Sequence, residues 1–196
     1  MEANSKKKEI LSKGAEIILF KGFNNTGINE ILDAAGVPKG SFYFYFKSKA
    51  DFGIQLIRFF EAQFLQLGDY HIKQVKKSYL IGLRNFFDGF LEIFKEQAYR
   101  GGCPIGNFSL EMSDLNENFR NQIQMTFGKM QDTVKHFLSA AVKIGELSES
   151  HDLDSLSEFI INSWEGALMR VKVKKDAAPM ALFYDILFNQ LLKKAV

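Results

Sequence analysis

Apolar residues recur at spacings of three and four along almost the whole chain, whereas the strict alternation of a β-strand is rare. This spacing puts the apolar side chains on one face of an α-helix. In the first predicted helix Gly14 leaves room for a close neighbour, and Gly22 marks the end. The apolar face of that helix consists of Leu11, Ala15, Ile18 and Leu19. The pattern predicts an all-α protein with about nine helices.

Short helices follow the first one. The second is predicted from about Thr26, as N-cap, to Ala35, and Gly36-Val37-Pro38 then breaks the chain. Because proline is tolerated at a helix start, the third helix is predicted from Pro38 to Phe46. Ser48 and Asp51 stand at capping-box spacing and open a fourth helix.

The rest of the chain predicts longer helices, after a break at Gly68. We place them near 74–97, 104–114, 117–145, 153–173 and 178–194. The predicted architecture is a three-helix head, residues 1–50, and a C-terminal helical-bundle body, residues 51–196.

The segment from 26 to 49 carries the informative chemistry. Two short helices joined by a tight glycine turn form a helix-turn-helix, whose second helix lies in the major groove of DNA. Lys39 in its first turn can donate to guanine, and Gly40 permits close approach. The consecutive aromatic residues 42–46 cover every face of a helix, so they cannot all be buried. Phe42 and Phe46 share one face and are predicted core, whereas Tyr43 and Tyr45 are predicted surface residues.

The charge distribution supports this interpretation only modestly. Residues 1–49 carry eight lysines and five acidic residues, while the rest of the chain carries 17 basic and 18 acidic residues. A slightly basic head on a near-neutral body fits a DNA-binding module, but it also fits an ordinary solvated end.

These residues resemble the tetracycline-repressor (TetR) family. The resemblance covers about 45 residues and rests on Gly22, Thr26, Ile31, the segment 34–37 and the segment 39–49. It implies that Lys39 and Gly40 contact bases and that Asn29 reaches a base or a phosphate. It implies phosphate contacts by Thr26, Ser41, Tyr43, Tyr45 and Lys49. Tyr45 departs from the family, which often has histidine at this position.

The resemblance also implies a homodimer that binds double-stranded operator DNA. One recognition helix reads too few base pairs to exceed non-specific binding, so two copies about one DNA turn apart would read a palindrome. The last two long helices are the implied dimer face, although their apolar residues also fit the core of one subunit. Whether the regulator represses or activates depends on the operator's position, and repression is the main expectation.

Aromatic residues crowd the predicted body, in a chain with 20 phenylalanines. Such residues line cavities for small hydrophobic or aromatic ligands, but an aromatic stripe at helical spacing is more often core. Candidate polar groups to orient a ligand are Asn107, Glu111 and Trp164. The full candidate set for ligand binding is Phe86, Phe90, Cys103, Asn107, Phe108, Glu111, Phe127 and Trp164.

Cys103 is the single cysteine and lies in the segment 101–107, just before a predicted helix. A helix N-terminus favours the reactive thiolate. The segment resembles a subset of the family with Gly-Cys-Pro at this place, in which some relatives sense electrophiles or oxidants. The alternative is a small buried residue at a tight turn.

The sequence argues against other classes of protein. The three histidines, His71, His136 and His151, lie at no catalytic or metal-ligand spacing, and the glycines at 101–106 lack the lysine of a phosphate loop. We therefore expect no enzyme, cofactor or metal. No apolar run would span a membrane and residues 1–8 do not form a secretory signal, so we expect a cytoplasmic protein without a membrane partner. A remote alternative is a helical interaction protein without specific DNA binding.

Overall fold

The computed structural model describes residues 2–193, with side chains from residue 5 onward. Every regular element in this range is helical, which confirms the predicted fold class. The α-helices are α1 (Glu2–Lys21), α2 (Ile28–Ala34), α3 (Phe42–Tyr45), α4 (Lys49–Gln74), α5 (Tyr79–Glu96), α6 (Pro104–Met112), α7 (Glu117–Lys143), α8 (Leu153–Lys174) and α9 (Ala178–Ile186). A 3₁₀ turn, Lys39–Ser41, precedes α3, and a π-helical turn, Leu187–Leu191, follows α9.

The chain divides into two compact units. The first unit is formed by Met1–Ala62 and Pro104–Thr126, and the second by Gln63–Cys103 and Phe127–Val196. The helices α4 and α7 contribute residues to both. These units are defined by the packing contacts within each of them. Their boundaries differ from the functional domain boundary at residue 50 that the sequence predicts.

The core of the first unit forms where the apolar faces of α1, α2, α3 and α4 meet. Gly14 permits this packing, because a Cβ atom there would lie 2.4 Å from the ring of Phe52. The close neighbour predicted for Gly14 is therefore present. Side chains at the centre of this core are fully buried: Ile10, Ile31, Leu32, Phe42, Phe52 and Leu56.

The core of the second unit is aromatic. Phe86 packs edge-on against Phe64, with ring centroids 5.0 Å apart, and lies 5.8 Å from Phe137. Phe90 packs 5.3 Å from Trp164. Phe86, Phe137 and Trp164 are almost completely buried, so this unit uses its phenylalanines mainly as core.

Several predicted boundaries are wrong. Gly68 does not end a helix but lies inside α4, where its missing Cβ makes room for Thr133, whose methyl carbon would lie 2.5 Å from it. The next helix begins at 79 instead of 74, because Ser78 caps it by accepting a hydrogen bond from the Ile81 N–H at 3.0 Å. The last α-helix ends at Ile186, and residue 194 of the predicted helix lies outside the described residues.

Candidate nucleic-acid interface

The turn between α1 and α2 is fixed by its own backbone and by Thr26. Gly22 adopts a left-handed φ of +87°, which ends α1 as predicted. Thr26 is not the N-cap of α2, because Gly27 takes that position without a side-chain cap. Its side chain is only 1% exposed and its hydroxyl donates to the Gly22 carbonyl at 2.7 Å. Thr26 therefore closes the turn, and a phosphate contact would require its hydroxyl to turn outward.

The turn between α2 and the recognition segment is a Schellman motif. Gly36 is left-handed, with φ +59°, and its N–H donates to the backbone carbonyl of Asp33 at 3.2 Å. The Val37 N–H donates to the Leu32 carbonyl at 2.9 Å. These two bonds satisfy carbonyl groups at the end of α2 and need glycine at position 36, since a side chain there would be strained.

The recognition segment, residues 38–46, presents two different faces. Phe42 and Phe46 are fully buried, as predicted, and Phe42 packs 5.9 Å from Phe52 of α4. On the outer side, Tyr43 is 69% exposed and Phe44 is 76% exposed. The segment therefore lies on the surface and is anchored by Phe42 and Phe46, one helical turn apart.

The polar candidates of this segment are accessible to different extents. Lys39 and Gly40 are exposed, and Ser41 and Tyr45 are half-buried. The Lys39 ammonium lies 4.0 Å from the Asp33 carboxylate, a loose and exposed pair. An exposed ion pair of this kind contributes little, so Lys39 is available to a base edge at small cost. Asn29 is exposed on α2.

The start of α4 has one of the two bonds of the predicted capping box, and the Asp51 carboxylate binds the backbone N–H of Lys47 in place of that of Ser48. The Asp51 N–H donates to the Ser48 hydroxyl at 3.0 Å, and the Asp51 carboxylate accepts from the Lys47 N–H at 2.8 Å. Burial opposes ionisation of Asp51, but the hydrogen bonds from Lys47 and Gln55 hold the pKa of its carboxyl below the usual value. These hydrogen bonds fix the direction in which the chain passes from the recognition segment into α4.

Glu111 has a role that the sequence did not suggest. This residue of α6 was predicted to orient a ligand, but its carboxylate accepts the backbone N–H groups of Phe23 and Asn24, at 2.8 and 2.5 Å. It thus binds the turn that follows α1. The ring of Phe23 packs 5.5 Å from Phe108 of α6, so the turn is held by apolar and polar contacts together.

Lys49 closes the same turn from α4. Its ammonium donates to the Asn24 carbonyl at 3.2 Å and lies 4.9 Å from the centre of the Phe23 ring. Burial lowers the pKa of Lys49, and the nearby Glu111 carboxylate partly opposes this. Its predicted phosphate contact would compete with these bonds.

The candidate ligand residues fall in both units. Asn107, Phe108 and Glu111 belong to the first unit, where Phe108 is buried between Phe23 and Phe119. The other members belong to the second unit: Phe86, Phe90, Cys103, Phe127 and Trp164. Of these, Phe86 and Trp164 are buried, whereas Phe90, Cys103 and Phe127 are half-buried. Neither unit contains the complete predicted set.

The second unit contains a buried carboxyl group, that of Glu165, which sequence reasoning missed. The Oε1 atom of Glu165 is buried without a hydrogen-bond partner among the described residues, and so is the Nε1 atom of Trp164. Burial raises the pKa of the Glu165 carboxyl to about 7, and a hydrogen bond from the Cys103 side chain partly opposes this effect. No motif around Glu165 signals its burial, because it directly follows Trp164 on an ordinary amphipathic helix.

An apolar groove runs along α8 and α9, which pack against each other. The groove has a volume of about 580 Å³ and includes the exposed side chains of Phe159, Leu182 and Ile186. Other apolar residues of the implied dimer face are instead buried in the subunit: Ile160, Trp164, Leu168, Val171, Phe183 and Leu187. The burial of these residues agrees with the alternative that the sequence left open, the core of one subunit.

An exposed recognition segment, set by a glycine turn behind a short α2, defines the class of this protein as a helix-turn-helix DNA-binding regulator. The comparisons with known proteins agree. Residues 10–53 match the family described as bacterial regulatory proteins, tetR family, and residues 80–187 match the tetracyclin repressor-like C-terminal domain. The chain belongs to the TetR family, whose members are transcriptional regulators and not enzymes.

Its relatives include named regulators. It is 35% identical to transcriptional regulator AcuR of Cereibacter sphaeroides over 93% of this chain and 83% of the relative. It is 28% identical to the transcriptional repressor NemR of Escherichia coli, over 89% and 87% of the two chains. A solved regulatory protein TetR from Rhodobacter sphaeroides superposes with a TM-score of 0.86 and 35% identity, over 93% of this chain and 96% of that one.

Among the residues that the structure describes, no helix combines the length and the apolar character needed to cross a membrane.

Proposed function

We propose that this chain is a dimeric repressor that reads a palindromic operator with its recognition segment and leaves it when a small apolar ligand binds. Residues 1–50 act as the DNA-binding domain and residues 51–196 as the regulatory and dimerisation domain, in the cytoplasm. The observation that carries the proposal is the exposure of Lys39, Gly40 and Tyr43 on a segment anchored by Phe42 and Phe46.

The contacts to DNA divide by chemistry. Lys39 and Gly40 lie in the first turn of the segment and reach base edges, and Asn29 reaches a base or a phosphate from α2. Phosphate contacts by Ser41, Tyr43 and Tyr45 fix the position of the segment along the groove. Thr26 and Lys49 complete the set only if they release their bonds to Gly22 and Asn24.

Selection of bound sequences from a random duplex pool tests this function. A palindrome with half-sites about one DNA turn apart is the expected result. Lys39→Ala should lose preference at one base pair, whereas Tyr43→Phe should weaken binding to all sequences alike, because phosphate contacts do not read bases. Recovery of no preferred sequence, or intact affinity in both variants, would contradict the proposal.

The ligand is proposed to bind in the second unit. The aromatic rings around Trp164 suit an apolar ligand, and the partnerless Trp164 Nε1 and Glu165 Oε1 atoms suit its polar groups. Release follows only if the ligand binds the free dimer more tightly than the operator-bound dimer. Equal affinity of a candidate ligand for both forms would exclude it as the inducer.

A second candidate function is thiol sensing in the Gly-Cys-Pro subset of the family. The observation that favours it is the half-buried Cys103 thiol, which directly precedes Pro104, the first residue of α6, because a helix N-terminus favours the reactive thiolate. A solved relative is described as the reduced form of E. coli NemR, at 25% identity and a TM-score of 0.84. Alkylation with N-ethylmaleimide should lower the operator affinity of the wild type but not of Cys103→Ser. Unchanged operator affinity of the alkylated wild type would contradict thiol sensing.

A further inference from the structure

Phe44 is a large apolar side chain that the fold leaves in water. It is 76% exposed, whereas its neighbours Phe42 and Phe46 are buried. Exposing a phenylalanine forgoes the stabilisation that burial would give. A contact made only in the complex with DNA would account for its position.

The side chain lies on the face that is proposed to meet DNA. Gly40, Tyr43 and Phe44 are spaced three and four residues apart, which places them on one side of a helix. Gly40 has open space around it, since a Cβ atom there would meet no atom within 4 Å. Phe44 therefore stands beside a surface that DNA can approach closely.

The orientation of the exposed Phe44 ring is favoured by its neighbour in the chain. It packs edge-on against Tyr45, with ring centroids 5.0 Å apart and an interplanar angle of 90°. Tyr45 is half-buried and packs in turn against the buried Phe46, 6.4 Å away. An aromatic pair of this geometry is attractive by about 0.5–1.5 kcal/mol, which favours this orientation of the Phe44 ring.

The chemistry of the ring selects its partner. A phenyl ring has no donor or acceptor and cannot bind a phosphate by a hydrogen bond, in contrast to Tyr43. In the major groove, the apolar group that a side chain can contact is the 5-methyl group of thymine. We propose that Phe44 is a specificity-determining residue that contacts the methyl group of one thymine in each operator half-site. This inference rests on the proposed function.

The test replaces each thymine of the selected operator in turn with deoxyuridine, which pairs identically but lacks the methyl group. For the wild type, deoxyuridine at one position of the half-site should lower operator affinity by about fourfold for each half-site replaced. This is the effect of losing one buried methyl group. In Phe44→Ala the same replacement should change affinity by less than about 1.5-fold. Phe44→Leu, which keeps an apolar contact, should retain part of the discrimination.

Two control variants separate this role from a general one. Tyr43→Phe should weaken binding to the thymine and deoxyuridine operators equally. Phe20→Ala changes another exposed aromatic residue, on α1, and should leave the affinity for both operators unchanged. Because Phe44 is exposed, Phe44→Ala should unfold at the wild-type temperature.

The outcomes are distinguishable. If the protein selects no sequence from the random pool, the proposed function fails and this inference fails with it. If it selects a palindrome but no deoxyuridine replacement weakens binding, only the inference on Phe44 is overturned. The same conclusion follows if Phe44→Ala leaves the deoxyuridine effect unchanged, or weakens binding to all sequences alike.

Discussion

Removing the Glu111 carboxylate should loosen the turn after α1. The carboxylate accepts two backbone N–H groups, from Phe23 and Asn24, 88 and 87 residues away in sequence. A hydrogen bond to a charged group contributes about 1.5–3 kcal/mol. Water can replace the bond to the exposed Asn24 but only poorly the bond to the partly buried Phe23. We therefore expect Glu111→Ala to reduce the free energy of unfolding by about 2–4 kcal/mol.

Thermal unfolding followed by circular dichroism measures this effect. For a protein of this size, about 3 kcal/mol corresponds to a fall in Tm of roughly 6–12 °C. Glu111→Gln keeps one accepting oxygen but adds an N–H₂ group that faces a donor, so it should be intermediate. Asp114→Asn removes an exposed charge shortly after α6 and serves as the matched control.

Hydrogen exchange of the Phe23 amide gives a local measurement of the same contact. In Glu111→Ala this amide should exchange faster, while amides in the middle of α8 should not change. Operator affinity should also fall, because the turn leads directly into α2 and fewer molecules would hold the binding conformation. Wild-type Tm and wild-type exchange of the Phe23 amide in Glu111→Ala would refute the reasoning.

Three further predictions follow from packing and charge. Burial raises the folded-state pKa of the Glu165 carboxyl from its ordinary value of 4.5 to about 7, so the stability that its protonated form contributes is complete below about pH 4.5 and is lost as the pH rises through 7. Glu165→Gln should remove this fall, which is on the order of 3 kcal/mol in urea unfolding, and wild-type and variant profiles that stay parallel with pH would contradict it. Gly53→Ala should destabilise by about 1–3 kcal/mol, since its Cβ would lie 2.5 Å from the Phe119 ring, whereas Gly128→Ala, with open space around it, should be neutral or stabilising by up to about 1 kcal/mol; equal effects would argue against close packing at 53. Leu182→Glu, in the groove of α8 and α9, should yield monomers in sedimentation velocity and weaken operator binding, and an intact dimer would place the interface elsewhere.

Local features of the first fifty residues could be predicted from the sequence. The division between the buried Phe42 and the exposed Tyr43 follows from helical periodicity, which needs no knowledge of distant residues. The capping box of Ser48 and Asp51 has a fixed spacing in the chain. Gly36 signals a left-handed residue, because few other residues adopt that conformation at low cost.

Features that depend on a distant partner could not be predicted in this way. Gly68 looks like a helix end, yet it serves the close approach of Thr133, 65 residues later in the chain. Thr26 has the chemistry of an N-cap, but Gly27 takes the N-cap position and the Thr26 hydroxyl donates to the preceding Gly22 carbonyl instead. In each case the residue type allows two roles, and tertiary packing selects one.

The two glutamates Glu111 and Glu165 show how this selection decides which residue can recognise a ligand. Sequence reasoning favoured Glu111, but both of its oxygens already accept backbone N–H groups, so its charge is already compensated and a further donor from a ligand gains less there. Glu165 was overlooked, yet its Oε1 atom is buried without a partner, which is a cost that a bound donor would remove. We therefore expect the polar selectivity of the proposed ligand site to lie on α8, and we expect Glu165→Gln to change ligand affinity more than Glu111→Gln does. Competition binding of a candidate ligand to the two variants decides between them.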